Sequence, residues 1–175
     1  HPLNRPMPES DPSPSFETLV ATYYEGLYKF AWSLTKSPDD AADLTQQTFL
    51  IWAEKGHALR DPSKVKSWLF TSLYREFLRQ NKRGQRVTAI DQEILETRQD
   101  PDLVSSVRRM EAQEALEALH QLDPVYREPL MLFYLEDLAY KEIAEVLDIP
   151  IGTVMSRLAR GKAQLKNYLS GKARK

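Results

Sequence analysis

Apolar residues recur every three or four positions along most of the chain, which is the spacing of one face of an α-helix. The first such segment begins at Phe16 and has apolar residues at Leu19, Val20, Tyr23, Tyr24, Leu27, Ala31 and Leu34. The sequence has no sustained alternation of apolar and polar residues and no Asn-Gly or Asp-Gly hairpin. The pattern therefore predicts an all-α protein.

Capping residues divide the first half into three predicted helices. Ser37 followed by Pro38 predicts the start of a second helix, which extends to about Lys55 and stops at Gly56. We expect its core stripe to be Leu44, Thr48, Ile51 and Trp52. A third helix is predicted from about Lys64 to Lys82, where aromatic residues alternate with bases.

The remaining segments predict two small helical domains joined by a linker. Residues 1–15 contain five prolines and are expected to be a mobile arm. Residues 87–103 lack a sustained period and are expected to be the linker. The predicted domains are residues 16–86 and residues 104–175.

Residues 140–160 have the pattern of a helix-turn-helix. Ile143, Val146 and Leu147 are expected to face a core, and apolar residues resume at Ile149 after a short turn. The turn position that often holds glycine is Asp148, a residue type that also tolerates a left-handed conformation.

Charge is strongly segregated although the net charge is only -1. Residues 60–86 hold eight bases against Asp61 and Glu76, and residues 149–175 hold seven bases and no carboxylate side chain. Between them, residues 87–102 hold five carboxylates against Arg98. Two basic segments of this kind indicate nucleic-acid binding, with a solvated basic surface as the alternative.

In the second helix of the helix-turn-helix, Thr153, Met155, Ser156, Arg157 and Arg160 are candidates for contacting bases or phosphates of a major groove. Lys162 and Lys166 are candidates for backbone phosphates. In the earlier basic segment the candidates for DNA contact are the basic side chains Arg60, Lys64, Lys66, Arg75, Arg79, Lys82 and Arg83.

Other classes of protein find little support. The absence of cysteine excludes disulfides and thiolate metal sites, and no apolar run approaches the roughly 18 residues of a membrane span. His57 and His120 are isolated, and no hydrolase or phosphate-loop spacing occurs. We expect no catalytic, metal or cofactor site, no membrane insertion and a cytoplasmic protein.

Two blocks resemble bacterial sigma factors. Residues 40–52, Asp-Ala-Ala-Asp-Leu-Thr-Gln-Gln-Thr-Phe-Leu-Ile-Trp, and residues 67–71, Ser-Trp-Leu-Phe-Thr, resemble conserved region 2, and residues 149–165 resemble the recognition helix of region 4. With only these two regions and a short linker, the chain resembles the extracytoplasmic-function (ECF) group of the sigma-70 family.

The resemblance implies an alternative sigma factor that binds core RNA polymerase and promoter DNA and has no chemistry of its own. Asp43, Gln46, Gln47 and Leu50 would bind the polymerase, although an exposed polar helix face remains the alternative. The basic segment of residues 60–86 and the loop of residues 56–66 would meet the -10 element, and the C-terminal helix would meet the -35 element. The resemblance also implies an anti-sigma factor, which in this group is often tethered to a membrane.

Three positions depart from the family pattern. Arg75 stands where an asparagine is common, Met155 where lysine is common, and Gly161 where alanine is common. The -10 and -35 preferences are therefore not carried over. A stand-alone helix-turn-helix regulator and an adaptor that lost DNA binding are the other functions considered.

Overall fold

The computed structural model describes residues 15–81 and 112–173, and within those ranges all regular secondary structure is helical. The α-helices are α1 (Phe16–Thr35), α2 (Pro38–Lys55), α3 (Val65–Gln80), α4 (Ala112–His120), α5 (Pro124–Tyr134), α6 (Tyr140–Leu147) and α7 (Ile151–Ala173). Short 3₁₀ turns at Gly56–Ala58 and Pro62–Lys64 connect α2 to α3. The prediction of an all-α fold is confirmed.

Several earlier predictions fall outside the described residues. These are the arm apart from Ser15, the linker of residues 87–103, the start of the C-terminal domain before residue 112, and the side chains of Lys82 and Arg83. The domain boundaries drawn at residues 86 and 104 therefore stay predictions.

Two helices begin at the capping residues that the sequence indicates. Ser37 is the N-cap of α2, where its hydroxyl accepts a hydrogen bond from the backbone N–H of Asp40 at 3.3 Å, and Pro38 occupies the first turn. Asp123 caps α5 in the same way through the N–H of Val125 at 3.0 Å. Each cap satisfies a donor that the first turn leaves unpaired.

The N-terminal helices enclose a core of large apolar side chains. α1 packs on α2 and on α3, and the buried rings of Phe30 on α1 and Phe70 on α3 have centroids 5.7 Å apart. Of the predicted core stripe of α2, Leu44 and Thr48 are buried and Trp52 is partly buried and packs against the core, whereas Ile51 is only partly covered and is not part of it. The face of α2 that packs on the core is rotated slightly from the predicted one, so that Ala41, Thr45 and Phe49 are also buried.

The C-terminal helices form the predicted helix-turn-helix. α6 packs on α7, and α5 packs across both. Asp148 ends α6 in the left-handed region with φ 53° and ψ 52°, so this aspartate adopts the conformation for which glycine is usual. Ile143, Val146 and Leu147 of α6 are buried, as predicted, and so are Val154 and Leu158 of α7.

The two halves of the described chain pack against each other. α3 packs on α6 and α1 on α5, so that buried side chains of both halves belong to one continuous core. Across this junction, Arg127 donates a hydrogen bond to the carbonyl of Ser33 at 3.3 Å, and the rings of Trp32 and His120 lie 4.7 Å apart.

Candidate nucleic-acid interface

The predicted polymerase-binding residues share one side of α2. Asp43, Gln46 and Leu50 are exposed, and Leu50 leaves 58% of its surface open to solvent. Gln47 is half-buried and accepts a hydrogen bond from the side-chain amide of Gln80 at 2.5 Å. Three of the four residues are therefore available to a partner, while Gln47 also joins α2 to α3.

An aromatic edge that the sequence reasoning missed borders this face. The rings of Phe16 and Tyr24 each lie 6.3 Å from the ring of Phe49, which precedes Leu50 in the chain. Phe16 and Tyr24 keep 47% and 41% of their surfaces exposed. The signal was present in the sequence as two aromatic residues on α1, but the periodicity assigned Tyr24 to the core.

The predicted -10 residues differ in their surroundings. Arg60, Lys64 and Arg75 are exposed, whereas the guanidinium of Arg79 forms a salt bridge with Glu76 on the same helix. Lys66 is half-buried, with its ammonium nitrogen 3.8 Å from a carboxylate oxygen of Glu136. Arg60, Lys64 and Arg75 are thus the predicted residues that the described surface presents most openly.

The predicted -35 residues on α7 are more covered than the sequence suggested. Thr153, Met155, Arg157 and Arg160 are half-buried, and only Lys166 is exposed. Ser156 has 1% of its surface exposed. The side chain of Ser156 is thus buried, and its contact with DNA stays a prediction.

Lys162 is buried for a reason that helical spacing alone does not reveal. It has 6% of its surface exposed, and its ammonium nitrogen lies 5.0 Å from the centroid of the Phe133 ring on α5. A long lysine stem can cover apolar surface while its charge sits over an aromatic face. Its expected contact with a backbone phosphate therefore competes with this packing.

Two carboxylates of the C-terminal half reach the N-terminal half. Glu128 accepts a hydrogen bond from the hydroxyl of Tyr74 at 3.1 Å, and Glu136 lies beside Lys66. Burial raises the pKa of each carboxyl to about 7, because desolvation outweighs the opposing effects of Tyr74 on Glu128 and of Lys66 on Glu136.

The two isolated histidines occupy ordinary structural positions. His57 is exposed, and His120 packs on Trp32, where burial lowers the pKa of its imidazole. The described residues contain no group of three or more histidine, cysteine or acidic side chains placed to hold a metal ion. No helix among residues 15–81 and 112–173 combines the length and the apolar character needed to cross a bilayer.

Comparison with known proteins identifies both halves of the chain. The model of "Sigma-70 region 2" matches residues 19–87, and that of "Sigma-70, region 4" matches residues 112–165. The ECF RNA polymerase sigma factor SigE of Mycolicibacterium smegmatis is 32% identical over 90% of this chain, which spans 62% of the SigE length. The ECF RNA polymerase sigma factor SigM of Bacillus subtilis is 29% identical over 87% of this chain and 93% of its own.

Solved structures agree with this result. The sigma factor RpoE of Bartonella quintana, in complex with the anti-sigma factor NepR, matches with a TM-score of 0.64 and 30% identity over 89% of this chain and 96% of its own. CnrH, solved with the cytosolic domain of CnrY, matches with a TM-score of 0.58 over 89% of this chain and 88% of its own. At 24% identity the CnrH match supports the fold alone.

Proposed function

The chain belongs to the sigma-70 family of RNA polymerase sigma factors and to its ECF group, and from this membership we propose that it binds core RNA polymerase and directs it to promoters as an alternative sigma factor. The observation that carries the proposal is the occurrence of regions 2 and 4, in that order, on the two halves of one helical chain. Because its targets are polymerase and promoter DNA, its place of action is the cytoplasm. We propose no catalytic step.

The exposed side of α2 is the proposed polymerase contact. Leu50 is a leucine with 58% of its surface in water, between the polar residues Gln46 and Glu54. Burying an exposed leucine against a partner contributes up to about 2 kcal/mol, and the neighbouring Asp43 and Gln46 supply polar contacts at the rim. The aromatic edge of Phe16 and Tyr24 extends this surface onto α1.

The two basic surfaces are the proposed promoter contacts. Arg60, Lys64 and Arg75 would bind the backbone near the -10 element, where Arg75 replaces the asparagine common in the family. Arg157 and Arg160 of α7 would contact the -35 element, with Lys166 on a neighbouring phosphate. An anti-sigma factor is the proposed inhibitory partner, because RpoE of Bartonella quintana is found in complex with one.

Transcription with core polymerase on a promoter library tests the proposal. The chain should give promoter-specific transcripts that core polymerase alone does not make. No specific transcript above core polymerase, with no inhibitor present, would refute the proposal. Tight duplex binding without polymerase would instead support a stand-alone regulator.

The polymerase contact has a separate test. Leu50→Glu places a charge on the proposed contact and should weaken core binding about tenfold or more, since about 1.4 kcal/mol corresponds to a factor of ten. Gln121→Glu adds the same charge at an exposed position after α4, away from the proposed contact, and is the matched control. Equal loss of core binding in both variants would contradict the assignment of Leu50.

A further inference from the structure

The connection between α2 and α3, residues 56–64, is stabilised by hydrogen bonds of its own. The backbone N–H of Leu59 donates to the carbonyl of Gly56 at 3.0 Å, and the side chain of Leu59 packs against the core. Further along, the carboxylate of Asp61 accepts from the backbone N–H of Ser63 at 3.0 Å and from its hydroxyl at 2.6 Å. The connection therefore has a defined shape in the free chain.

Gly56, where the connection begins, lies directly against the indole of Trp52. A Cβ atom built on Gly56 would lie 2.6 Å from both Cε2 and Cε3 of Trp52 and would also overlap Cδ2. Carbon atoms in good contact lie about 3.5–4.0 Å apart, so alanine at position 56 would displace the indole by about 1 Å. Glycine at position 56 is what allows the ring to occupy this place.

The same indole is held from its other side by α3. The rings of Trp52 and Trp68 meet edge to face, with centroids 5.0 Å apart and planes at 80°, and both rings pack against the core. This arrangement is favourable because the positive edge of one ring meets the negative face of the other. Trp68 belongs to the first turn of α3. One side chain thus joins the end of α2 to the start of α3 and sets the distance that the connection spans.

The connection presents its remaining residues to solvent. Every residue of it apart from Gly56 and Leu59 is exposed, including Arg60 and Lys64, the proposed contacts to the backbone near the -10 element. Backbone contacts fix the register of a nucleic acid against the groups that read its bases. Groups held in advance in a binding geometry also lose less conformational freedom when they bind, so a shift of their support weakens selection.

We propose that Trp52 is a positioning residue for selection of the -10 element. Its indole, placed between Gly56 and Trp68, holds the connection in a fixed shape. In that shape Arg60 and Lys64 meet the backbone of the opened promoter strand, so Trp52 acts through the connection rather than by contact with a base. The inference rests on the proposed sigma-factor function, but the support of the connection by Trp52 is measured separately on the free chain.

Hydrogen exchange of the free, full chain tests this support. The reporters are the backbone N–H groups of Leu59 and Lys64, which donate within the connection. In Gly56→Ala they should exchange about fivefold faster or more, because the displaced indole no longer opposes local opening. Gly171→Ala is the matched control and should leave both rates at the parent value, since nothing lies within 4 Å of a Cβ at position 171.

Promoter selection is measured with holoenzyme made from core polymerase and the full chain. The probes are one promoter from the library and two copies of it, one changed in the -10 element and one in the -35 element. The ratio of the half-saturating concentrations for a changed and the unchanged promoter gives the discrimination at that element. Gly56→Ala and Trp52→Leu should lower -10 discrimination about fivefold or more, since a single mismatched base ordinarily costs at least about fivefold in binding. Discrimination at -35 and binding of core polymerase should stay at the parent values.

A conservative variant separates the positioning role from a general effect on folding. Trp52→Phe keeps an aromatic ring against Trp68 and should retain more -10 discrimination than Trp52→Leu. Gly171→Ala should match the parent in every ratio. Circular dichroism of each variant confirms that the helices are retained.

Three results would overturn the inference. The first is -10 discrimination in Gly56→Ala equal to that of an active parent. The second is a loss in Trp52→Leu that Gly56→Ala does not share, which would mean that Trp52 contacts the DNA itself. The third is an equal loss at -10 and -35 in both Gly56→Ala and Trp52→Phe, which would mean a general folding defect. A parent that gives no promoter-specific transcript would instead refute the proposed function, and faster exchange in Gly56→Ala would then still show that Trp52 supports the connection.

Discussion

Gly161 of the recognition helix lies against α5 so closely that alanine at this position should destabilise the protein. A Cβ built on Gly161 would be 2.7 Å from Cδ1 and 3.2 Å from Cγ of Leu130, and 3.3 Å from Cβ of Tyr126. Carbon atoms in good contact lie about 3.5–4.0 Å apart, so Leu130 would have to move by about 1 Å. Leu130 is fully buried and cannot swing into solvent.

The expected change in the free energy of unfolding follows from two opposing effects. Overpacking of a buried site costs about 1–3 kcal/mol. Replacing glycine by alanine inside a helix gains about 1 kcal/mol. The net expectation for Gly161→Ala is a loss of about 1 kcal/mol. Gly171→Ala has open space around the new methyl group and should instead gain about 0.5 kcal/mol.

Urea unfolding of the full chain, followed by circular dichroism, measures both changes. A Gly161→Ala variant as stable as Gly171→Ala would refute the steric argument. The double variant Gly161→Ala, Leu130→Val is a further check. The smaller valine should recover part of the stability lost in Gly161→Ala, so the two substitutions should show a coupling free energy of about 1 kcal/mol. This close packing on Leu130 and Tyr126 is a physical reason for glycine at position 161.

Three further predictions concern stability. Burial raises the pKa of Glu128 and Glu136 to about 7, above the ordinary glutamate value of 4.5, so their stabilising effect is complete below about pH 4.5 and is lost as the pH rises through 7. The free energy of unfolding, measured in urea, should therefore be up to about 2 kcal/mol lower per group at pH 8 than at pH 5. Replacing both glutamates by glutamine should make the free energy of unfolding less dependent on pH over this range. Asp148→Gly should raise stability by about 1 kcal/mol in thermal unfolding, because Asp148 has a φ of 53°; an unchanged or lower stability would contradict strain at that turn. Arg127→Ala should cost about 2–3 kcal/mol in urea unfolding, because it removes the buried donor to the Ser33 carbonyl; a cost below about 0.5 kcal/mol would show that the bond contributes little.

The helices and their ends could be predicted because their causes are local. Ser37 and Asp123 act as caps within three residues of the groups they bind. Asp148 takes the left-handed conformation that the turn between α6 and α7 requires. These interactions join neighbours in the sequence, so the pattern of residue types is enough to place them.

The candidate site could be predicted only as sets of residues on helix faces. The family matches support the assignment of the chain to sigma regions 2 and 4, and the exposed Leu50 agrees with a partner surface on α2. Tyr24 was assigned to the core but is 41% exposed, and its place beside Phe49 was not foreseen. Helical periodicity identifies a face, but it does not tell which neighbouring helix covers that face or how far.

The helical class, the helix-turn-helix and the segregation of charge into two basic segments can be read from the amino-acid pattern, because each depends on residues close together in the chain. That Lys66 meets Glu136, that Lys162 lies over Phe133 and that Ser156 is covered is known from the folded structure alone. These contacts join or cover helices that are distant in sequence. They follow from the packing of α3 on α6 and of α5 on α7, which depends on the fit of whole surfaces rather than on the period of any one helix.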